Sequence, residues 1–308
     1  MIVLSIFLSI FFLLFLLLLM RKDHTVSIEE LREEMSISRS SFFQFNKVRC
    51  HYTDEGVGEV VIMIHGLGDS FRIFDDFASE VVKHYRVIRL DLPGFGLSDV
   101  PSQNQVGGEL IDFYARCFSA FLKELDIDQL HLIGNSLGGW VSWHWASNHS
   151  EQLQSLTLLA SAGFELERVK KNITQGVLEH IPLFLLKKGM PASFAQVNLR
   201  ACIYNKDLIH PQYIRNNYRM INKRGTLQFM FELLESKVYA DPGRLAAISC
   251  PVLVVWGNKD RIAPASHAKL FEEHLTKCKV VMYDKCGHYP QIERKDDLLT
   301  DWNNFVQS

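Results

Sequence analysis

The chain has 308 residues, 47% of them hydrophobic, enough to bury one large core or two smaller ones. A formal net charge of -2 with mixed signs, and no basic tract longer than pairs such as Lys187-Lys188, excludes the electrostatic footprint of a nucleic-acid binder. The six cysteines (Cys50, Cys117, Cys202, Cys250, Cys278 and Cys286) stand singly without C-x-x-C spacing, so they read as reduced thiols rather than zinc ligands.

Residues 2 to 20 are apolar apart from Ser5 and Ser9. As a helix they would cover roughly 28 Å, about the hydrocarbon thickness of a bilayer. No basic residue precedes the run and no small-x-small cleavage site follows it, which favours an uncleaved transmembrane anchor over 1–20 against a signal peptide. Arg21 and Lys22 then place the rest of the chain on the cytoplasmic side by the positive-inside tendency. Residues 21–41 are polar and read as a tether, with Ser27-Ile-Glu-Glu30 forming a capping box that opens a short helix to about Met35.

The catalytic domain is expected to begin near Phe42. Alternation over Phe42–Tyr52 suggests a strand pair or a bent strand, closed by the turn around Gly56 and Gly58. Glu59–Ile64 is a short apolar run of the kind buried on both faces of a parallel sheet, and it ends in His65-Gly-Leu-Gly68. Helical spacing over 70–82, a strand over 85–90, the Gly/Pro-rich loop Asp91–Asp99 and helical spacing over 107–125 follow. Gln129–Asn135 then leads through Ser136 into a Trp-rich helix to about Asn148, with another strand at Leu153–Ala160. This alternation predicts right-handed βαβ crossovers and a mostly parallel sheet flanked by helices, an α/β fold with its core in 42–162 and 247–308. Residues 163–246 break the rhythm. They carry helix-like pieces such as Val177–Lys188 and Gly225–Val238 punctuated by prolines, and are read as an inserted helical cap. Strands resume at Pro251–Trp256 and Lys279–Asp284, with a helix between them and a final one after Pro290.

The chemistry gathers at strand ends. Gly134-Asn-Ser-Leu-Gly138 places Ser136 at the apex of a strand-to-helix turn, where a nucleophile is pushed out above the sheet edge. A serine hydroxyl is a poor nucleophile at neutral pH without a base, and the base needs an orienting carboxylate. Asp260 follows one late strand and His288 the next, so both side chains should emerge at the same sheet edge as Ser136. Ser136 would attack a carbonyl carbon, His288 would carry its proton and Asp260 would hold the imidazole tautomer. Asp284 is a rival acid. Backbone N–H groups of Leu67 and Leu137 are the candidate oxyanion donors. His65 reads as a structural residue of the oxyanion loop, and Asp91 and Asp99 as residues that fix their own loop.

Together HGLG, DLPGFGLSD, GNSLGG, WGNKDRIAP and CGHYPQIER resemble the α/β-hydrolase superfamily over residues of about 42 to 305. Within it, the apolar N-terminus and the segment Leu159-Ala-Ser-Ala-Gly163 resemble the membrane-anchored monoacylglycerol lipase and esterase branch. The GNSLGG elbow and the CGH motif are also similar to those of carbon-carbon bond hydrolases of ring-cleavage pathways. The resemblance implies a serine hydrolase that cleaves carboxylic esters, monoacylglycerol or a similar acyl ester, with no metal or organic cofactor. Carbon-carbon hydrolysis and a non-catalytic ligand-binding role are the alternatives. The expected location is the membrane, through a single N-terminal helix.

Overall fold

The computed structural model describes residues 23–164, 187–235 and 241–308. The proposed anchor at 1–20 and most of the helix-like piece Val177–Lys188 lie outside the described residues. Among the described residues no helix is long and apolar enough to cross a membrane.

One eight-stranded sheet organises the molecule in the order β1-β2-β4-β3-β5-β6-β7-β8. Strands β1 (Ser40–Phe45) and β2 (Val48–Glu55) form an antiparallel pair, and β2 runs antiparallel to β4 (Arg86–Leu90). From β4 onward, β3 (Val60–Ile64), β5 (Leu130–Asn135), β6 (Leu153–Leu159), β7 (Val252–Gly257) and β8 (Cys278–Tyr283) are parallel. The unbroken apolar runs have a plain cause. In β3, Ile62 and Ile64 join one core cluster while Val61 and Met63 join another, and in β7 Val252, Val254 and Trp256 divide in the same way from Leu253 and Val255. Successive side chains point to opposite faces, and both faces are covered, so neither set tolerates polar residues.

The described helices, in chain order, are α1 (Ile28–Met35), α2 (Asp75–Val81), α3 (Gln103–Val106), α4 (Leu110–Glu124), α5 (Leu137–His149), α6 (Ala192–Cys202), α7 (Pro211–Ile221), α8 (Thr226–Glu235), α9 (His267–His274), α10 (Pro290–Glu293) and α11 (Lys295–Val306). Half of the expected capping box forms: the Ser27 hydroxyl accepts the Glu30 N–H at 3.1 Å, while the Glu30 carboxylate pairs with Arg219, and α1 ends at Met35. Helix α5 buries Leu137, Val141, Trp143, Trp145 and Ala146 around most of its girth, as a helix apolar on all sides must.

Two findings depart from the sequence reading. The helix expected from Gly107 begins only at Leu110, because Gly107 adopts φ 58° and closes the short preceding helix α3 in a left-handed cap. More consequential, residues 23–36 do not hang as a tether. Val26 pairs with Lys223 of the cap, its N–H reaching Asn222 O at 3.0 Å and its carbonyl accepting from Arg224 N–H at 3.0 Å. Leu31 and Met35 bury against Phe71, Leu97 and Met220, and Glu30 and Glu34 pair with Arg219. The amphipathic face of α1 thus clamps cap to core. A polar composition hid this because only two residues of the helix face inward.

The cap also grips the core directly. The Lys223 ammonium is 2% exposed and donates to the carbonyls of Gly96 (3.0 Å) and Ser98. The Thr226 hydroxyl donates to Gly94 O at 2.8 Å, and Phe229 meets Phe95 edge to face. The loop Asp91–Asp99 is therefore the floor on which the cap stands.

Candidate active site

Strand β5 is buried along its whole length and passes into α5 through one residue, Ser136, at φ 54° and ψ -115°. A side chain in that region costs on the order of 1–3 kcal/mol, sustained only where the surroundings fix it. They do so here by contact. A Cβ on Gly134 would stand 2.5 Å from Gly138 O, and one on Gly138 would stand 2.2 Å from Ile64 O. Both flanking glycines are needed so that β3, the turn and the helix can close on one another. The Ser136 carbonyl is held by the N–H groups of Trp140 at 3.0 Å and Ala162 at 2.9 Å. Its hydroxyl makes no hydrogen bond among the described residues.

The acid and the base meet. Asp260 Oδ2 lies 2.7 Å from His288 Nδ1, with side-chain exposures of 0% and 4%. The other carboxylate oxygen accepts the N–H groups of Ile262 (2.7 Å) and Ala263 (3.0 Å), which fixes the carboxyl plane. Nδ1 thus carries the proton and donates to Asp260. Nε2 is left as the basic atom, with no intramolecular partner among the described residues. Asp284, the rival acid, is exposed at the surface and accepts from Asn258 Nδ2 instead.

The expected oxyanion donors stand beside Ser136. A Cβ on Gly66 would lie 3.1 Å from the Ser136 Cβ, so the loop rests against the nucleophile. The Asp69 N–H closes a turn onto Gly66 O at 3.3 Å, with Leu67 inside it. The N–H groups of Leu67 and Leu137 have no intramolecular acceptor among the described residues, so both are available to an oxygen at the site. His65 is buried and donates from Nδ1 to Gly66 O (2.7 Å) while Nε2 accepts Leu92 N–H (3.1 Å). Burial holds its pKa below the usual imidazole value against the pull of Asp91, so it is a neutral strut between two loops. Asp91 accepts from Phe71 N–H, His51 Nδ1 and Leu97 N–H, and Asp99 from Arg32 and Arg49 N–H. Both fix the loop they belong to.

Several contacts to which the sequence reading assigns no role also shape the site. Asn135, fully buried, donates from Nδ2 to Leu159 O (3.0 Å) and His288 O (3.3 Å), tying the elbow to the histidine loop. Gly257 lets the acid loop approach that loop, since a Cβ there would stand 2.2 Å from Gly287 O. The His288 N–H donates to Cys202 O at the end of α6, at 2.7 Å. The Tyr289 hydroxyl donates to Asp69 at 2.7 Å.

A strained serine at a strand-helix turn, a bonded Asp-His pair at the ends of later parallel strands and free N–H groups beside the serine define a hydrolase of the α/β type. The family profile of the alpha/beta hydrolase fold matches residues 59–295, and the chain belongs to that family. Among its relatives is Lipase 3 of Moraxella sp. (strain TA144), 25% identical over 292 residues that span 91% of this chain and 87% of the relative. A 2-hydroxy-6-oxo-6-phenylhexa-2,4-dienoate hydrolase of Burkholderia cepacia is 27% identical over 256 residues, 80% of this chain and 87% of the relative. In three dimensions the chain is similar to a membrane phospholipase A described as a bacterial virulence factor, with TM-score 0.75 and 25% identity over 87% of this chain and 85% of that one.

Proposed function

We propose that this protein is a serine hydrolase that cleaves carboxylic esters of lipid-like acyl substrates, monoacylglycerols or similar esters, through an acyl-enzyme on Ser136. The observation that carries the reading is the Asp260–His288 pair at 2.7 Å, buried at the sheet edge where the Ser136 elbow emerges. In the reaction, the Ser136 oxygen attacks the ester carbon as His288 Nε2 takes its proton, while Asp260 keeps the Nδ1 proton and stabilises the imidazolium. The oxyanion is met by the N–H groups of Leu67 and Leu137. One such donor is worth on the order of 10²–10³ in rate. The imidazolium then protonates the departing alkoxide, and a water that gives its proton to Nε2 releases the acid.

The similarities to a lipase and to a membrane phospholipase A support an ester of a lipid as substrate. An apolar segment at 1–20 fits the same reading as a bilayer anchor. A second reading, carbon-carbon hydrolysis of a ring-cleavage product, is favoured by the similarity to the Burkholderia cepacia dienoate hydrolase. Purified protein offered p-nitrophenyl esters, monoacylglycerols and such a dienoate separates the two, and turnover of the dienoate alone would sink the ester reading. A fluorophosphonate adduct on Ser136 is expected. Its absence from folded protein would remove both enzymatic readings in favour of a ligand-binding role.

A further inference from the structure

We propose that Asp69 is a second carboxylate behind the catalytic base, a positioning residue that acts through Tyr289 to lock the oxyanion turn to the histidine loop and to steady the His288 imidazolium. The inference rests on the Ser136 nucleophile reading and adds a residue that no motif marks. Asp69 directly follows the oxyanion loop and its N–H closes the turn around Leu67. Its carboxylate, with the residue 8% exposed, accepts the hydroxyl of Tyr289, which is 3% exposed and next in sequence to His288. The two rings, Tyr289 and His288, stand 5.5 Å apart. From the cap, Asn217 donates from Nδ2 to Gly68 O at 3.3 Å, next to Asp69. One carboxylate thus joins the oxyanion turn to the histidine loop.

The charge is what a purely structural role does not explain. A buried carboxylate is costly unless it is paired with a cation. Among the described residues Asp69 has no permanent one. Arg72, which lines the same small cavity, is engaged by Asp75 and by the Met35 carbonyl. The remaining ionisable neighbours are Tyr289, Cys202 and, across the cavity, Tyr213, each held neutral at ordinary pH because burial raises its pKa. Asp260 is occupied by His288 Nδ1. The group whose positive charge draws Asp69 toward ionisation is His288 itself. Burial raises the Asp69 pKa to about 6, opposed by the Tyr289 bond, by His288 when it is charged and by Asn217, so the carboxylate gains a partner from the charge that His288 takes up during turnover. A site that sacrifices local stability in this way is expected where transition-state charge must be met.

The test uses the full-length protein, its rate of fluorophosphonate labelling and its hydrolysis of p-nitrophenyl butyrate. For Asp69→Asn we expect kcat to fall roughly tenfold with KM little changed, the split of a residue that positions the reacting groups rather than the ligand. Removal of an uncompensated buried charge should leave Tm at pH 8 unchanged or higher. Tyr289→Phe, which keeps the charge but cuts the link, should shift kcat in the same direction and supplies the answer if Asp69→Asn does not fold. Unchanged kcat in both variants would overturn the proposal, as would a loss of rate accompanied by a lower Tm or by a matching rise in KM. If the wild type forms no adduct at all, the nucleophile reading falls first and this one with it.

Discussion

At the scale of single residues, Ser136 holds a backbone conformation that its neighbours enforce rather than one it prefers. Ser136→Ala therefore keeps the fold, because the side chain lies at the site and not in the core. It is expected to lose about 10³–10⁶ in turnover, measured with p-nitrophenyl esters beside an unchanged circular dichroism spectrum. Asp260→Asn should leave the loop in place yet cost about 10⁴ in kcat, because an amide at Oδ2 no longer holds the tautomer that leaves Nε2 basic. Asp284→Asn is the control, and comparable losses in both would sink the assignment of the acid. The positions of Ser136 and Asp260 were legible because each follows a strand buried along its whole length, and that of His288 because it follows β8, whose run of apolar residues marks a strand although the strand is only partly buried. Asn135 and Asp69 were not. Their partners, His288 and Tyr289, lie 153 and 220 residues away, and only the folded sheet brings them together.

At the scale of elements, periodicity located β3 to β8 to within a residue, for β3 to β7 because burial on both faces leaves a continuous apolar run, whereas β2 runs to Glu55, past the expected Tyr52. What helix α1 packs against was illegible, since an amphipathic stripe announces a partner without naming it. The seam it guards has a titratable centre. Burial lowers the Lys223 pKa to about 7, against the opposing pull of Asp91 and Asp99. The folded protein therefore releases this proton near pH 7 while the unfolded chain keeps it to about 10.5. Between those values the unfolded state binds more protons, so the contribution of this group to stability rises with pH, at about 1.4 kcal/mol per unit at most. Lys223→Met removes that dependence. Urea unfolding should show the wild type gaining a few kcal/mol on the variant between pH 7 and pH 10, and parallel curves would refute the burial argument.

At the scale of the whole molecule, the two covered faces of the sheet make a rigid platform, and chemistry is placed along one edge of it where successive strands end. Residues 23–36 are part of that body, so the segment at 1–20, read as an anchor, joins the catalytic unit with almost no intervening chain. Removal of residues 1–22 should leave hydrolysis of a soluble ester within roughly twofold, while turnover of the same acyl group presented in vesicles falls by roughly tenfold or more, because effective concentration is lost. Equal rates on vesicles with and without the segment would defeat the anchor reading.

The hydrogen bond from the His288 N–H to the Cys202 carbonyl has one more consequence. The last turn of a cap helix and the catalytic base share a contact, so their equilibria are linked, and linkage is reciprocal. A substrate that shifts α6 on entering shifts the imidazole with it, and a charged imidazole alters in turn how tightly the cap holds its ligand. Acyl chains long enough to press on the cap should then differ from short ones in kcat as well as in KM, with remote binding energy expressed at the reacting bond.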